Sequence, residues 1–198
     1  MFAGPCNFVA GAARLDALPP QAAPEIAFAG RSNVGKSSLL NALTGRTRLA
    51  RISKTPGRTQ QINFFDLGGR LMLVDLPGYG YARVAKKTAA DWSALTRRYL
   101  RGRPGLRRVL VLIDSRRGVK DVDRAIFTLL DEAAVSYQAV LTKVDQAPPG
   151  ALERVRAAAA AELARHGAAH PRIPMTSAVT GAGIPGLRAE LAALAAIS

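Results

Sequence analysis

Directly after the apolar run Ile26-Ala27-Phe28-Ala29 the chain reads Gly30-Arg31-Ser32-Asn33-Val34-Gly35-Lys36-Ser37, and a helix-favouring stretch, Ser38 to Leu43, follows. The octapeptide fills the pattern G-x-x-x-x-G-K-[ST] in a strand-to-helix context, that of a phosphate-binding loop. Gly30 and Gly35 carry no Cβ, so the backbone can wrap a polyphosphate closely enough for its N–H groups to point inward. Lys36 would bring a cation to the β- and γ-phosphates and Ser37 a hydroxyl to Mg²⁺, while the helix aims its N-terminal dipole at the anion. A strand that passes into a helix through such a loop is one step of an alternating α/β chain.

The rest of the sequence continues that alternation. Apolar, β-branched runs at Ile26–Ala29, Ile62–Leu67, Leu71–Val74, Val109–Ile113, Tyr137–Leu141 and Ile173–Met175 predict strands. Helical spacing places Trp92, Leu95 and Tyr99 on one face after a capping-box-like Thr88-Ala89-Ala90-Asp91, and repeats at Val122, Ile126, Leu129 and Ala133. Two further helices are expected over Ala151–Arg165, closed by Gly167, and from Pro185 through Leu187, Leu191 and Leu194. The pattern implies a doubly wound α/β sheet with helices on both faces and ligand at the carboxyl ends of the strands. Only Gly68-Gly69-Arg70 separates Ile62–Leu67 from Leu71–Val74, too short for a crossover. Those two strands must form a hairpin, so the sheet is mixed.

Residues 1–24, rich in Ala and Pro, read as an N-terminal arm, and residues 25–198 as one nucleotide-binding domain. A chain of 198 residues buries a core without staples, and its single cysteine, Cys6, cannot form an internal disulfide. No apolar run approaches the roughly 18 residues of a membrane span, and the first residues lack a basic segment followed by an apolar secretory core. The expected location is cytoplasmic. Lys and Arg number 28 against 14 Asp and Glu, a formal net charge of +14, which points to a polyanionic partner. The excess gathers in Arg46, Arg48, Arg51, Lys54 and Arg58, then in Arg97, Arg98, Arg101, Arg103, Arg107 and Arg108, followed by Arg116, Arg117 and Lys120. Both main clusters are expected at loops or helix ends, where they would neutralise nucleic-acid phosphates in a salt-sensitive way.

The base is read elsewhere. Thr142-Lys143-Val144-Asp145, after the strand Tyr137–Leu141, matches the [NT]-K-x-D motif of GTPases. Its aspartate accepts hydrogen bonds from the guanine N1–H and 2-amino group, a donor pair that adenine lacks, so a desolvated carboxylate rejects adenine. Asp75-Leu76-Pro77-Gly78 follows the strand Leu71–Val74: Asp75 can hold Mg²⁺ through water, and the Gly78 N–H can meet a γ-phosphate. Thr176-Ser177-Ala178 can support the guanine carbonyl through backbone N–H groups. Between loop and hairpin, Lys54-Thr55-Pro56-Gly57-Arg58-Thr59-Gln60-Gln61 should hold the threonine that reaches Mg²⁺ and reports the γ-phosphate. Thr59 is the first choice and Thr55 its competitor.

With GRSNVGKS, TPGRTQ, NFF, DLPGYGYA and TKVD in this order, the chain resembles the EngB family of bacterial GTPases, within the Era and TrmE-like branch. The resemblance implies a monomeric Ras-like fold with a six-stranded mixed, mostly parallel sheet, Mg²⁺-dependent GTP and GDP binding, and a role in assembling the large ribosomal subunit, with effects on cell division and septation. It places nucleotide contacts at Gly30, Arg31, Ser32, Asn33, Val34, Gly35, Lys36 and Ser37; Gly57, Arg58, Thr59, Gln60 and Gln61; Asp75, Leu76, Pro77 and Gly78; Thr142, Lys143, Val144 and Asp145; and Thr176, Ser177 and Ala178. Mg²⁺ falls on Ser37 and Thr59, and the catalytic set is Lys36, Thr59 and Asn33. Asn33 stands where some related GTPases hold K⁺, whose charge replaces an arginine finger. Thr142 stands where Asn is commoner, and Val179 where many GTPases have lysine, two departures expected to weaken affinity. Ras-like proteins orient the attacking water with a glutamine just after D-x-x-G; here that position is Tyr79, whose phenol is poorly suited, so slow intrinsic hydrolysis is expected. The competing functional class is a GTPase acting on the division apparatus or on RNA modification, with no direct ribosomal role.

Overall fold

The computed structural model describes residues 1–46, 49, 61–80, 94–148 and 150–196. Six strands, β1 (Cys6–Ala12), β2 (Glu25–Gly30), β3 (Ile62–Leu67), β4 (Leu71–Asp75), β5 (Leu106–Asp114) and β6 (Tyr137–Thr142), form one sheet in the order β1-β3-β4-β2-β5-β6. β4, β2, β5 and β6 run parallel, and β3 is antiparallel to both β4 and β1. The hairpin turns on Gly68 and Gly69 at φ 62° and 69°, a pair of left-handed residues whose twist matches that of the flanking strands. The Asp66 carboxylate accepts the Gly69 N–H at 3.0 Å.

Among the described residues five α-helices cover the two faces: α1 (Lys36–Thr44), α2 (Ala94–Gly102), α3 (Asp121–Glu132), α4 (Ala151–Leu163) and α5 (Ile184–Ala195). Alternation along the central strands sorts the core. Ala27, Ala29, Val109, Val111 and Ile113 face Tyr99 of α2, Ile126, Phe127 and Leu130 of α3 and Leu163 of α4. Ile26, Phe28, Leu110 and Leu112 face Leu39, Leu40 and Leu43 of α1 and Ile184, Leu187 and Leu191 of α5. Both faces of β2 and β5 are thus buried, as parallel strands require. Among the described residues no helix is long and apolar enough to cross a membrane.

The strand count agrees with the sequence reading, but one strand differs. Ile173–Met175 makes only an isolated bridge between Met175 and Leu141. Pro174 has no N–H to give a ladder there, and its carbonyl accepts the Leu141 N–H at 2.9 Å. The sixth strand is β1, inside the segment read as an arm. A β-bulge between Phe8 and Ala10 breaks its period of two, so the alternation that marks a strand is lost from the sequence. The helix start expected at Thr88, with Trp92, lies outside the described residues, as do Thr55, Gly57, Arg58, Thr59 and Gln60.

Arginines expected at loops and helix ends are partly in regular elements. Arg97, Arg98 and Arg101 belong to α2, and Arg107 and Arg108 to β5. Arg103 is committed to the fold: its guanidinium grips buried Glu25 at 2.7 and 2.9 Å, and Tyr99 donates its hydroxyl to the same carboxylate at 2.9 Å. Arg108 leans on Gln138 at 3.3 Å and Glu190 at 3.4 Å. Arg98 and Arg101 remain exposed one helical turn apart, a like-charge pair that costs a few tenths of a kcal/mol.

Candidate functional site

The phosphate loop leaves the carboxyl end of β2 at the centre of the sheet. Gly30 is fixed by crowding, because a Cβ there would sit 2.7 Å from Val34 Cγ1 and 3.2 Å from Leu112 Cβ. Gly35, at φ 108°, precedes α1 in a conformation that side chains avoid. Asn33 also has a positive φ, 63°, and asparagine is among the residues that tolerate it. That backbone requirement accounts for an asparagine here independently of any ion. Lys36 and Ser37 open α1, and the Lys36 ammonium forms an ion pair with Asp75, whose carboxylate is 3 % exposed at the end of β4. The loop cation and the first residue of D-x-x-G are therefore in contact across the β2–β4 seam.

Beyond Asp75 the chain stays against the loop. Leu76 N–H donates to Phe28 O at 3.0 Å, Tyr79 N–H to Gly30 O at 3.3 Å, and Ser32 N–H to Tyr79 O at 3.3 Å. Gly78 is confined with them: a Cβ on it would lie 3.3 Å from Ser32 Oγ. Tyr79 does not reach toward the phosphate loop's open side. Its ring is in the core, and its hydroxyl donates to Asp123 Oδ1 at 2.9 Å. Burial pushes the Tyr79 phenol well above its ordinary range, and the Asp123 carboxylate adds to this.

Thr142–Asp145, the segment expected to read the base, is tied to the same loop from the other side. Thr142 donates its hydroxyl to Val34 O at 2.7 Å, so this threonine itself links β6 to the loop. Lys143, at φ 58°, donates from Nζ to Asn33 O at 2.6 Å and pairs with Asp114 Oδ2 at 3.0 Å. Burial pushes the Asp114 carboxyl up, but hydrogen bonds from Arg116 and Lys143 outweigh it and hold the group well below the usual carboxylate range. Ser115 completes the turn by donating to Lys143 O at 3.1 Å. Thr176 N–H and Oγ1 both donate to Leu141 O, at 2.8 and 3.0 Å, and Ser177 Oγ accepts the N–H groups of Val179 and Thr180. Between the start of α1 and these two loops opens a cavity of about 110 Å³, lined by Leu39, Thr142, Lys143, Asp145, Ala178 and Val179 among others.

The structure thus gathers Gly30–Ser37, Asp75–Gly78, Thr142–Asp145 and Thr176–Ala178 at one edge of the sheet. Gln61 is elsewhere: it is exposed beside β1, close enough that a Cβ on Gly11 would lie 2.7 Å from its Oε1. Sequence reasoning missed Asp114 and Ser115, although two polar residues directly after the buried run Val109–Ile113 stand where α/β sheets place ligand-binding groups. It also missed Asp123. Among the described residues, no cluster of three or more His, Cys, Asp or Glu side chains could hold a metal.

Comparison with known proteins agrees with this arrangement. Residues 25–143 match the family described as "50S ribosome-binding GTPase". The chain is 57 % identical over 198 residues to the probable GTP-binding protein EngB of Hyphomonas neptunium, covering 98 % of this chain and 90 % of that protein. A crystal structure of a probable GTP-binding protein EngB superposes with a TM-score of 0.66 at 21 % identity, covering 86 % of this chain and 98 % of that one. The structure of Era in complex with MgGDPNP and nucleotides 1506–1542 of 16S ribosomal RNA gives a TM-score of 0.60 at 20 % identity, over 86 % of this chain and 56 % of Era. A loop of the phosphate-binding pattern on a six-stranded mixed sheet, a family match over residues 25–143 and near-full-length identity of this degree place the chain in the EngB family of GTP-binding proteins, as a guanine-nucleotide-binding GTPase.

Proposed function

We propose that this GTPase is a slow, nucleotide-controlled switch that assists assembly of the large ribosomal subunit, acting as a cytoplasmic monomer, with normal cell division and septation depending on it. The observation that carries the reading is a concentration of positive charge. Between residues 94 and 113 there are six arginines and no acidic residue, and Arg98 and Arg101 present theirs to solvent on α2. The family description "50S ribosome-binding" and the RNA held by Era support a ribosomal RNA partner for that surplus. The test is co-sedimentation with ribosomal subunits in GDP and in a non-hydrolysable GTP analogue over a salt series. GTP-favoured association with the large subunit that falls steeply with salt is expected. Salt-sensitive RNA binding without subunit or nucleotide preference would instead support a GTPase of the division apparatus or of RNA modification.

In this reading Gly30–Ser37 hold the phosphates, Asp75–Gly78 face the γ-phosphate, and Thr142–Asp145 with Thr176–Ala178 hold the guanine. Gly57–Gln60 are assigned to the triphosphate as well, whereas Gln61, set beside β1, is left out of the site. Mg²⁺ would be held by Ser37 and Thr59, with Asp75 behind them. The Ser37 hydroxyl and the Asp75 carboxylate flank Lys36 and are hard oxygen donors, the type Mg²⁺ takes. When bound, the ion neutralises charge on the phosphates.

Slow hydrolysis follows from Tyr79, whose hydroxyl is engaged with Asp123. Tyr79→Phe is expected to keep single-turnover hydrolysis at saturating GTP within about threefold of wild type; a fall of about a hundredfold, near 3 kcal/mol, would show that the phenol takes part in the chemical step. Asn33 is proposed to help hold K⁺ beside the phosphates. Hydrolysis is then faster in potassium than in sodium chloride at matched ionic strength, and equal rates would leave Asn33 with its backbone role alone.

A further inference from the structure

Arg31 and Tyr79 are backbone partners in the parallel bridge between the phosphate loop and the segment after Gly78, and their side chains converge on one carboxylate. Asp123, the third residue of α3, is 0 % exposed. Its Oδ1 accepts the Tyr79 hydroxyl at 2.9 Å and lies 3.4 Å from Arg31 Nε, and its Oδ2 accepts the Lys120 N–H at 2.8 Å. Arg31 is steadied from the same side, donating from Nη2 to Gly118 O at 3.1 Å. Burial raises the carboxyl's pKa and Arg31 opposes that.

Capping a helix does not require this. An N-terminal carboxylate can cap from the surface, and taking a charge wholly out of water costs several kcal/mol unless a partner compensates. Here the partners come from the two backbone segments that flank the phosphate site. The bridge itself is weakly bonded, at 3.3 Å in both of its hydrogen bonds. Asp123 reinforces it from outside, and with it the position of Gly78, which is packed on Ser32 and Gly30 O.

We propose that Asp123 is a positioning residue for triphosphate recognition. By holding Arg31 and Tyr79 in register it keeps the Gly78 amide in place beside the phosphate loop, so the γ-phosphate meets a donor that is already ordered. The proposal rests on the assignment of Gly78 to the γ-phosphate made above. A diphosphate does not reach Gly78, so loss of Asp123 weakens GTP more than GDP.

The experiment measures equilibrium affinities for GDP and for a non-hydrolysable GTP analogue, both with Mg²⁺, in wild type, Asp123→Ala and Asp123→Asn, with thermal melting as the measure of fold. Asp123→Ala is expected to lower the ratio of analogue to GDP affinity at least about tenfold. Asp123→Asn keeps an acceptor for Tyr79 and Lys120 but no charge for Arg31, and is expected to lower it at least about threefold. A purely structural carboxylate would lower the melting temperature and both affinities in proportion, leaving the ratio within about twofold, and that result overturns the proposal. If Asp123→Ala does not fold, Asp123→Asn decides by the same threshold. Lys36→Ala measured alongside separates the two assignments. Unchanged nucleotide affinity there overturns the phosphate site and this proposal together, whereas lost affinity there with an unchanged ratio at Asp123 overturns the positioning role alone.

Discussion

Lys36→Ala is expected to weaken GTP binding by at least about a hundredfold, and two effects add to give that size. The first is loss of a charge-assisted contact to the β- and γ-phosphates, about 1.5–3 kcal/mol for each hydrogen bond to a charged group. The second arises from what Lys36 touches. Its ammonium pairs with Asp75, which is 3 % exposed, so the variant leaves a nearly buried carboxylate facing the incoming phosphates with no cation between them. The sum exceeds about 3 kcal/mol, or about two powers of ten in affinity. Fluorescence titration with a GTP analogue measures it, and affinity kept in the micromolar range would remove Lys36 from the site. Adding Asp75→Asn to Lys36→Ala should recover thermal stability, since the stranded charge is gone, without restoring affinity.

Asp145→Asn is expected to reverse base preference. The carboxylate sits in a short turn, Val144–Gln146, at the exposed rim of the cavity, and the left-handed conformation of Lys143 turns the chain so that Asp145 lines it. Two acceptor oxygens match the N1–H and 2-amino donors of guanine. An asparagine offers one acceptor and one donor, which match the N1–H and 2-carbonyl of xanthine. Two mismatched hydrogen bonds in a site built for two are worth a change in the xanthine-to-guanine ratio of at least about a hundredfold. Competition of xanthosine and guanosine diphosphates for the site reads it directly. An unchanged ratio would show that another element reads the base.

Most of this site could be read from the sequence because its parts are short, local and chemically obligatory. Gly35 at φ 108°, the Lys36-Ser37 pair and Thr142–Asp145 each carry their requirement within a few residues. The hairpin was equally legible, since Gly68-Gly69-Arg70 leaves the chain no other route. What escaped is long-range. Asp123 reads as an ordinary helix-start residue, and only the fold brings it to Arg31 and Tyr79, 92 and 44 residues away in the chain. Arg103 reads as one of a cluster of free cations until Glu25, 78 residues earlier, is found beneath it. Ile173–Met175 has the composition of a strand, yet Pro174 denies it the ladder, whereas β1 is a strand whose bulge conceals its alternation.

That first strand also governs the order in which the domain can be completed. Among the described residues β1 pairs with β3 alone, from Cys6 opposite Leu67 to Ala12 opposite Ile62 with one bulge between, so its partner lies roughly fifty residues later in the chain. During synthesis β1 is followed by the phosphate loop and α1, and this edge of the sheet can close only once the hairpin has emerged after them. The loop it closes is long, which makes the pairing slow in entropic terms. Until then Phe65 and Leu67 lack their cover from Phe8 and Cys6. For a growing chain the vulnerable interval is therefore the wait for its own opening strand to find its place.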